Sequence, residues 1–302
     1  MNLTQLRYVR AVAETGSFTQ AAEQCHVTQP TLSNGIAQLE LELGERFFTR
    51  TTRAVAPTPF GERLLPLIVK VLEAQAELIR EAESFARPGR AAVRIGTSPL
   101  VRSGWLAPVL EEFHKEHPGV EVILHEQNMD DLYRMLDEGL LDFVFGVAGN
   151  RRQSWAAAPL YREPLYFIAR GGSELAGRDL VKFEDIVDET FVMVPNVCGL
   201  AKATRALFRS RRKKLQEYPG EALSYQVLEE WAALGLGAAI LPKSKLQSAE
   251  SKAALLTDKS GETLLLDFDA VWLDRLDKDQ AAPHLRQFAE HLAGCRETEP
   301  GP

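Results

Sequence analysis

Apolar residues return at helical intervals from the start of the chain. Leu3, Leu6, Val9 and Val12 repeat every three positions, Ala13 widens the stripe and Gly16 stops it, which predicts an amphipathic helix. Ser17–Gln20 has capping-box form: Ser17 can accept from the Gln20 N–H while Gln20 reaches back. Ala21 and Ala22 follow, small enough to admit another helix. After a break at His26-Val27, Thr28 or Gln29 can cap a further helix with Pro30 in its first turn. Leu32, Ile36, Leu39 and Leu43 form its inner stripe, and Gly44 ends it. Its outer side carries Thr31, Ser33, Asn34 and Gln38, interrupted by Gly35. A glycine there costs about 1 kcal/mol relative to alanine.

The segment from Arg46 to Glu62, RFFTRTTRAVAPTPFGE, alternates enough for a small hairpin. Thr58 can cap a helix opened by Pro59. Leu64, Ile68, Val71, Gln75, Leu78, Ala82 and Phe85 then alternate steps of four and three, a heptad seam. Leu65, Leu72, Ile79 and Ala86 run beside it. From Pro59 to Ala86 such a helix is about 40 Å long at 1.5 Å per residue, with Pro66 allowing a kink or a later start. A second copy of the helix is the expected cover for the seam, the alternative being packing on its own chain. The RPG at 87–89 reads as a hinge.

Beyond the hinge, strands and helices alternate. AAVRIGTSP is strand then turn, WLAPVLEEFHKEHPG a helix, VEVILHE a strand, MDDLYRMLDEG a helix and LLDFVFGV a strand. A second such unit runs from LYFIAR through ETFVMVP, GLAKATRALF and ALSYQVLEEWAALGLGAAILP. LLLDFDAVWL and a helix from about Pro283 to Gly294 return to the first. The succession implies parallel sheets with crossover helices, an α/β region. The expected organisation is therefore residues 1–58, an α-rich domain; 59–89, a linker helix and hinge; and 90–302, two lobes, the first at about 90–161 with 267–295 and the second at about 162–266.

Composition leaves this picture intact. Of 302 residues, 45% are apolar and 25% charged, the balance of a soluble globular chain. The net charge of -7 looks unfavourable for nucleic acid, but binding answers to the local field, and Arg46, Arg50 and Arg53 cluster in the hairpin. Cys25, Cys198 and Cys295 are few, far apart and in no metal spacing, which predicts a reducing compartment without disulfides. No signal-peptide-like or bilayer-length apolar run occurs. The expectation is a cytoplasmic protein without membrane contact, metal or cofactor.

Two helices joined by a short turn, the second exposing short polar side chains, describe a DNA-reading helix-turn-helix. Gln29, Thr31, Ser33 and Asn34 can bond base edges, and Pro30 and the Thr31 methyl can meet a thymine methyl. The plainer reading is a solvated face of a small bundle. The arginine-bearing hairpin beside this helix suits a wing reaching phosphates or the minor groove. SFTQAAEQCHVTQPTLSNGIAQLELELGERFFTRTTRAVAPTPFGE resembles the N-terminal signature of LysR-type transcriptional regulators. The matching elements are Ser17-Phe18-Thr19, Ala21-Ala22, Gln29-Pro30-Thr31-Leu32-Ser33, Leu39-Glu40, Leu43-Gly44, Phe47-Phe48, Arg50-Thr51 and Thr58-Pro59 with Gly61.

The resemblance implies a winged helix-turn-helix, a long linker helix and a two-lobed effector domain like the periplasmic binding proteins. It implies DNA contacts at Gln29, Pro30, Ser33, position 34, Arg50, Thr51 and Arg53, and with Thr28 and Thr31 these form the candidate DNA-binding set. The family commonly carries a basic residue at Asn34 and a larger one at Gly35. Losing the cation weakens phosphate or guanine contact; Asn34 instead suits adenine, with Gly35 leaving room for close approach. Implied partners are double-stranded operator DNA, a small effector, RNA polymerase and further copies of the chain, as a dimer through the linker helix and as a tetramer.

In open α/β sheets, ligands sit off the carboxyl ends of strands. Those places are Thr97-Ser98, Asn128-Met129 and Val197-Cys198-Gly199, and by resemblance they match the family's effector pocket. Hydroxyls and free N–H groups at helix starts suit a carboxylate or other small anion. Thr97 and Ser98 can equally cap a helix, and Arg102 reads as a counter-charge or as an exposed arginine. Cys198, before a helix with Lys202 four residues on, has two readings: a pocket wall, or a thiol switch. CHVTQPTLS resembles the peroxide-sensing branch of the family, which pairs its reactive cysteine with a second one in the following segment. None occurs between Gly199 and Gly220. RSRRKK at 209–214 suits a solvated helix end or a second DNA contact. A transport-type binding protein or an enzyme would also use a two-lobed fold, but neither explains the N-terminal motif, and no catalytic cluster appears.

Overall fold

The computed structural model describes all residues except 26, 51–54, 87–90, 150–151, 153, 196, 248–252, 275–281 and 296–302. The chain divides into two compact units, Met1–Arg90 with Arg134–Leu140 and Ala91–Tyr133 with Leu141–Pro302. Each has an apolar core of its own.

In the first unit, local signals set the element ends. Asn2 and Gln5 exchange hydrogen bonds of 2.9 Å each at the start of α1 (Leu3–Thr15), and Gly16 closes it at φ 63°. Ser17 accepts from the Gln20 N–H at the start of α2 (Phe18–Gln24). Thr28 accepts from the Thr31 N–H at the start of α3 (Gln29–Leu43), which Gly44 ends at φ 85°. The side chains of Leu6, Val9, Val12, Leu32, Ile36 and Leu39 are buried together. Leu43 is not part of that core; it is 39% exposed beyond the last buried turn.

Gly35 is explained by this packing. A Cβ there would stand 2.9 Å from two ring carbons of Tyr8, itself buried in the same core. The missing side chain admits the Tyr8 ring between α1 and α3, a role inside the unit rather than the close DNA approach expected from sequence.

The hairpin pairs β1 (Phe48–Arg50) antiparallel with β2 (Val55–Pro57). It is locked to the start of α4 (Pro59–Ala86). The Thr58 hydroxyl donates to the Arg46 carbonyl at 2.5 Å and accepts from the Gly61 N–H at 3.0 Å. The Thr58 N–H donates to the Phe47 carbonyl at 2.9 Å. The helix runs unbroken through Pro66, which is exposed and removes one ladder bond. The expected seam divides over two faces. Ile68, Leu72 and Ala76 are buried, with Ile68 and Leu72 in the core beside Leu64 and Leu65. Leu67, Val71, Leu78 and Phe85 face outward, Leu78 at 70% and Phe85 at 90% exposure. The expected hinge at 87–89 lies outside the described residues.

The second unit is a mixed rather than parallel α/β assembly. Its first half holds β3 (Ala91–Thr97), α5 (Ser103–Glu116), β4 (Val120–Glu126), the start of α6 (Met129–Asp137), whose residues from Arg134 count with the first unit, and β5 (Phe143–Val147). The long β6 (Trp155–Ile168) follows, then β7 (Leu180–Lys182), β8 (Thr190–Met193), α7 (Gly199–Ser210) and β9 (Gln216–Glu221). After them come α8 (Tyr225–Ala233), β10 (Ala239–Pro242), β11 (Ala253–Thr257), β12 (Leu265–Leu273) and α9 (Pro283–Gly294). The main sheet has the order β4-β3-β5-β12-β6-β11-β7, with β10 also on β6, and β8 pairs with β9. β3 is parallel to β4 and β5, whereas β12 is antiparallel to β5 and β6. β6 changes partners along its length. Trp155–Pro164 pairs with β12, Leu165–Ile168 pairs with β10 and Tyr166–Ile168 with β11. One strand thus joins the two ends of the main sheet.

The contact at Gly61 yields a direct test. A Cβ there would lie 2.3 Å from the Phe47 carbonyl oxygen, a backbone atom already held by Thr58. Gly61→Ala should destabilise the first unit by about 1–3 kcal/mol through overpacking. An unchanged unfolding midpoint in thermal or urea melts would show that the hairpin can move aside.

Candidate functional site

Two regions concentrate exposed chemistry. In the first unit, α3 presents Gln29, Pro30, Thr31 and Asn34 to solvent, with Thr28 at its cap. The Thr28 and Thr31 hydroxyls lie 2.8 Å apart, and Ser33 is half-buried. This face has no charged side chain from Thr28 to Leu39, so it offers directional donors and acceptors rather than a bare field. Arg50 closes β1; its side chain, and the whole of Thr51 and Arg53, lie outside the described residues.

In the second unit a cavity of about 720 Å³ opens at strand and helix ends, within the range of small-molecule sites. Of the residues expected there, Ser98, Asn128, Met129, Val197, Cys198 and Gly199 line it. Thr97 does not. It is buried behind the wall, its carbonyl accepting from the Gln127 N–H at 3.3 Å. Ser98 is 2% exposed; its N–H donates to the Phe145 carbonyl and its hydroxyl accepts from the Leu100 N–H at 3.3 Å. That bond closes a turn, since α5 begins only at Ser103; the expected helix-capping role for Thr97 and Ser98 is therefore not what they do. Asn128 accepts from the Asp131 N–H at 3.0 Å at the start of α6.

Arg102 is neither a pocket counter-charge nor fully exposed. It is half-buried, with its N–H donating to the Tyr161 hydroxyl at 2.8 Å and its guanidinium 5.2 Å from that ring. The basic run at 209–214 begins at the solvated end of α7, with Arg211 over the Phe183 ring.

Cys198 stands directly before α7, and its sulfur lies 2.8 Å from the Tyr225 hydroxyl. Burial, and then the neighbouring Cys198, push the Tyr225 hydroxyl well above the ordinary tyrosine range. It therefore keeps its proton at neutral pH and can donate to the sulfur. Lys202, expected beside the thiol, is paired instead with Asp130 of α6.

Sequence reasoning missed the other wall. Ser224, Tyr225 and Gln226 at the start of α8, and Ser244 and Lys245 after β10, line the same cavity. Lys245 is half-buried, and burial pushes its ammonium below the usual lysine range while Glu163 and Glu126 oppose the shift. Glu163, on β6 and 2% exposed, accepts from the Ser244 N–H. The signal that would have found Lys245 is the same strand-end rule, applied to the carboxyl end of AAILP.

The cavity therefore gathers the starts of α6, α7 and α8, at Met129, Gly199 and Tyr225. Ser224 caps α8 by accepting from the Val227 N–H, whereas Cys198 makes no side-chain cap to α7 among the described bonds. The first-turn N–H groups of α7 and the Lys245 ammonium are positive features; the Glu126 carboxylate is the one acidic side chain in the described wall. Such a surface favours a small anion.

Comparison with known proteins agrees with both regions. Residues 3–62 match the bacterial regulatory helix-turn-helix family of lysR type, and residues 86–294 match the LysR substrate binding domain. The DNA-binding transcriptional dual regulator OxyR of Escherichia coli (strain K12) is 31% identical over 249 residues, covering 80% of this chain and 79% of its own. The RuBisCO operon transcriptional regulator of Allochromatium vinosum is 29% identical over 266 residues, covering 86% of each. Full-length CbnR complexed with its target DNA shares the fold at a TM-score of 0.52 and 20% identity, over 98% of this chain and 100% of that one. No helix among the described residues is long and apolar enough to cross a membrane.

If the Tyr225 hydroxyl donates to the Cys198 sulfur, 2.8 Å away, Tyr225→Phe removes the donor that steadies negative charge arising on that sulfur as it reacts, a bond worth about 1.5–3 kcal/mol. Alkylation of Cys198 by iodoacetamide at neutral pH, followed on its own peptide by mass spectrometry, should slow by about tenfold. An equal or faster rate would mean that the sulfur is the donor in this contact.

Proposed function

The chain belongs to the LysR-type transcriptional regulators, ligand-responsive proteins that bind DNA, and from that premise we propose how this member divides the work between its two units. α3 reads base edges with Gln29, Thr31, Ser33 and Asn34, with Thr28 and Pro30 at its entrance, and the wing residues Arg50, Thr51 and Arg53 meet the phosphates. Arginine contacts to phosphate supply affinity on any sequence; the uncharged α3 face supplies selectivity.

The second unit senses a small anion. The observation that carries this is one cavity joining the uncapped start of α7 to the half-buried Lys245. Ser98, Asn128 and Ser224 add neutral hydrogen-bonding groups, and Met129, Val197 and Leu223 add apolar wall. For Cys198, a wall position in contact with Tyr225 accounts for its surroundings. A thiol switch would need a second sulfur that α7 and β9 do not contain.

The outward row of Leu67, Val71, Leu78 and Phe85 on α4 supports association of two chains, matching the two-fold half-sites of an operator. Higher assembly to a tetramer, contact with RNA polymerase and a cytoplasmic location follow from the family premise. So does the proposed division at residues 1–58, 59–89 and 90–302.

The two roles separate in one experiment. Gln29→Ala should cost about 1–3 kcal/mol on the specific site and little on random DNA, leaving small-molecule affinity alone. Lys245→Gln should weaken binding of small carboxylates, found by a thermal-shift screen of the full chain, by about tenfold or more, leaving DNA affinity alone. Equal losses on operator and random DNA would remove Gln29 from base reading. Unchanged carboxylate affinity in Lys245→Gln would remove the ammonium from the effector site.

A further inference from the structure

Away from the cavity, the end of α9 meets the end of α5. The ring of Phe113 lies 4.8 Å from Phe288 and 5.5 Å from His291, which presses the two helices together. Three side chains of different ligand chemistry converge on this contact: Glu112 from α5, and His291 and Cys295 from α9. Each can offer one atom such that all three atoms lie within 4.8 Å of one another. Spacing in sequence supplies two of the three. His291 and Cys295 are four residues apart, one helical turn, so they share a face, and the Cys295 sulfur lies 3.5 Å from His291 Nε2. A tetrahedral zinc ion with bonds of about 2.0–2.1 Å to nitrogen and 2.3 Å to sulfur spaces those two atoms by about 3.6 Å. The pair already stands at that separation.

We infer that Glu112, His291 and Cys295 form a binding site for a thiophilic divalent cation of the zinc class, stapling α9 to α5. Thiolate, imidazole and carboxylate are a borderline ligand set, suited to Zn²⁺ and poorly suited to Mg²⁺ or Ca²⁺. One thiolate and one carboxylate balance the two positive charges, and water completes four-coordination. Glu116, one turn beyond Glu112, acts electrostatically on the same thiol and adds to the field that attracts a cation. In the metal-free chain, His291 Nε2 lies 2.9 Å from the Val109 carbonyl. Coordination takes the Nε2 lone pair, so the imidazole carries its one proton on Nδ1 and the contact to Val109 gives way. The Cys295 thiol releases its proton to solvent. The site lies apart from the effector cavity, whose lining includes none of these residues, and it does not rest on the effector reading.

The test uses Co²⁺ as a spectroscopic stand-in on the chelator-stripped full chain. One equivalent should bind per chain, with intense visible bands of tetrahedral cobalt and a near-ultraviolet thiolate-to-cobalt band, both displaced by Zn²⁺. Cys295→Ser should lose the thiolate band and weaken Co²⁺ binding by at least about tenfold. Glu112→Gln, at an exposed position that the fold tolerates, should weaken binding while keeping the thiolate band. Should Cys295→Ser fail to fold, protection of Cys295 from alkylation by added Zn²⁺ in the unaltered chain gives the same answer. A thiolate band that survives in Cys295→Ser, cobalt bound without such a band, or a Cys295 that alkylates equally fast with and without Zn²⁺ would overturn the site.

Discussion

The second unit depends on one strand serving two parts of its main sheet. β6 contributes nine residues to the ladder with β12, its last four to β10 and its last three to β11, so it joins the β4-β3-β5-β12 part of the sheet to β10, β11 and β7. Backbone hydrogen bonding favours this: strand N–H and C=O groups need partners, and β6 finds them in β12 along its first part and in β10 and β11 at its end. The change of partners falls at Pro164 and Leu165, and Glu163 stands beside it. Its buried carboxylate holds the Ser244 N–H and so fixes the start of the segment that carries Lys245 into the cavity. The same strand thus organises the fold and, through one carboxylate, places the cation of the proposed effector site. The cost is a buried acid, offset by that hydrogen bond and by the half-buried ammonium nearby.

The first unit solves a different problem. An exposed reading helix must keep its outer face free while its inner face holds the bundle together. Leu32, Ile36 and Leu39 do the holding, and Gly35 lets the Tyr8 ring approach, which compensates for the poor helical propensity of glycine. The net charge of -7 does not oppose this, because the α3 face is neutral and the arginines of the hairpin lie beside it in sequence. Selectivity from neutral donors and affinity from separate cations are different contributions, and the proposed reading assigns them to different segments of the chain.

Much of this was legible in the sequence where the cause is local. The ends of α1, α2, α3 and α4 follow from Gly16, Ser17, Thr28, Gly44 and Thr58, each within a few residues of the bond it makes. The cavity residues Ser98, Asn128 and Cys198 followed from strand ends. Illegible features have distant causes. β6 begins as WAAAP, with too little alternation to declare a strand, and its partner there, β12, lies far along the chain. β9 is QEYPGE, polar and interrupted by proline and glycine, tolerable at the end of a two-stranded pair. The purpose of Gly35 needs Tyr8, on another helix. Lys245 looks like any lysine after a strand until the starts of α7 and α8 are placed beside it. His291 and Cys295 form no recognised metal spacing alone, and Glu112 joins them only once α5 packs on α9. The seam of α4 was read from periodicity, which cannot say which part of an apolar row its own chain covers.

The central claim is that a small anion in the β6-anchored cavity and DNA on α3 are linked through one chain. Linkage is reciprocal: if the anion changes DNA affinity by some factor, DNA changes anion affinity by the same factor. The most direct measurement is therefore the anion's dissociation constant on the free full-length chain and on the chain saturated with its operator, at fixed salt. The account predicts a difference of about fivefold to 150-fold, matched by the change in operator affinity at saturating anion. Identical dissociation constants in the two states would contradict it, leaving a DNA-binding protein and a ligand-binding protein that share a chain without sharing a function.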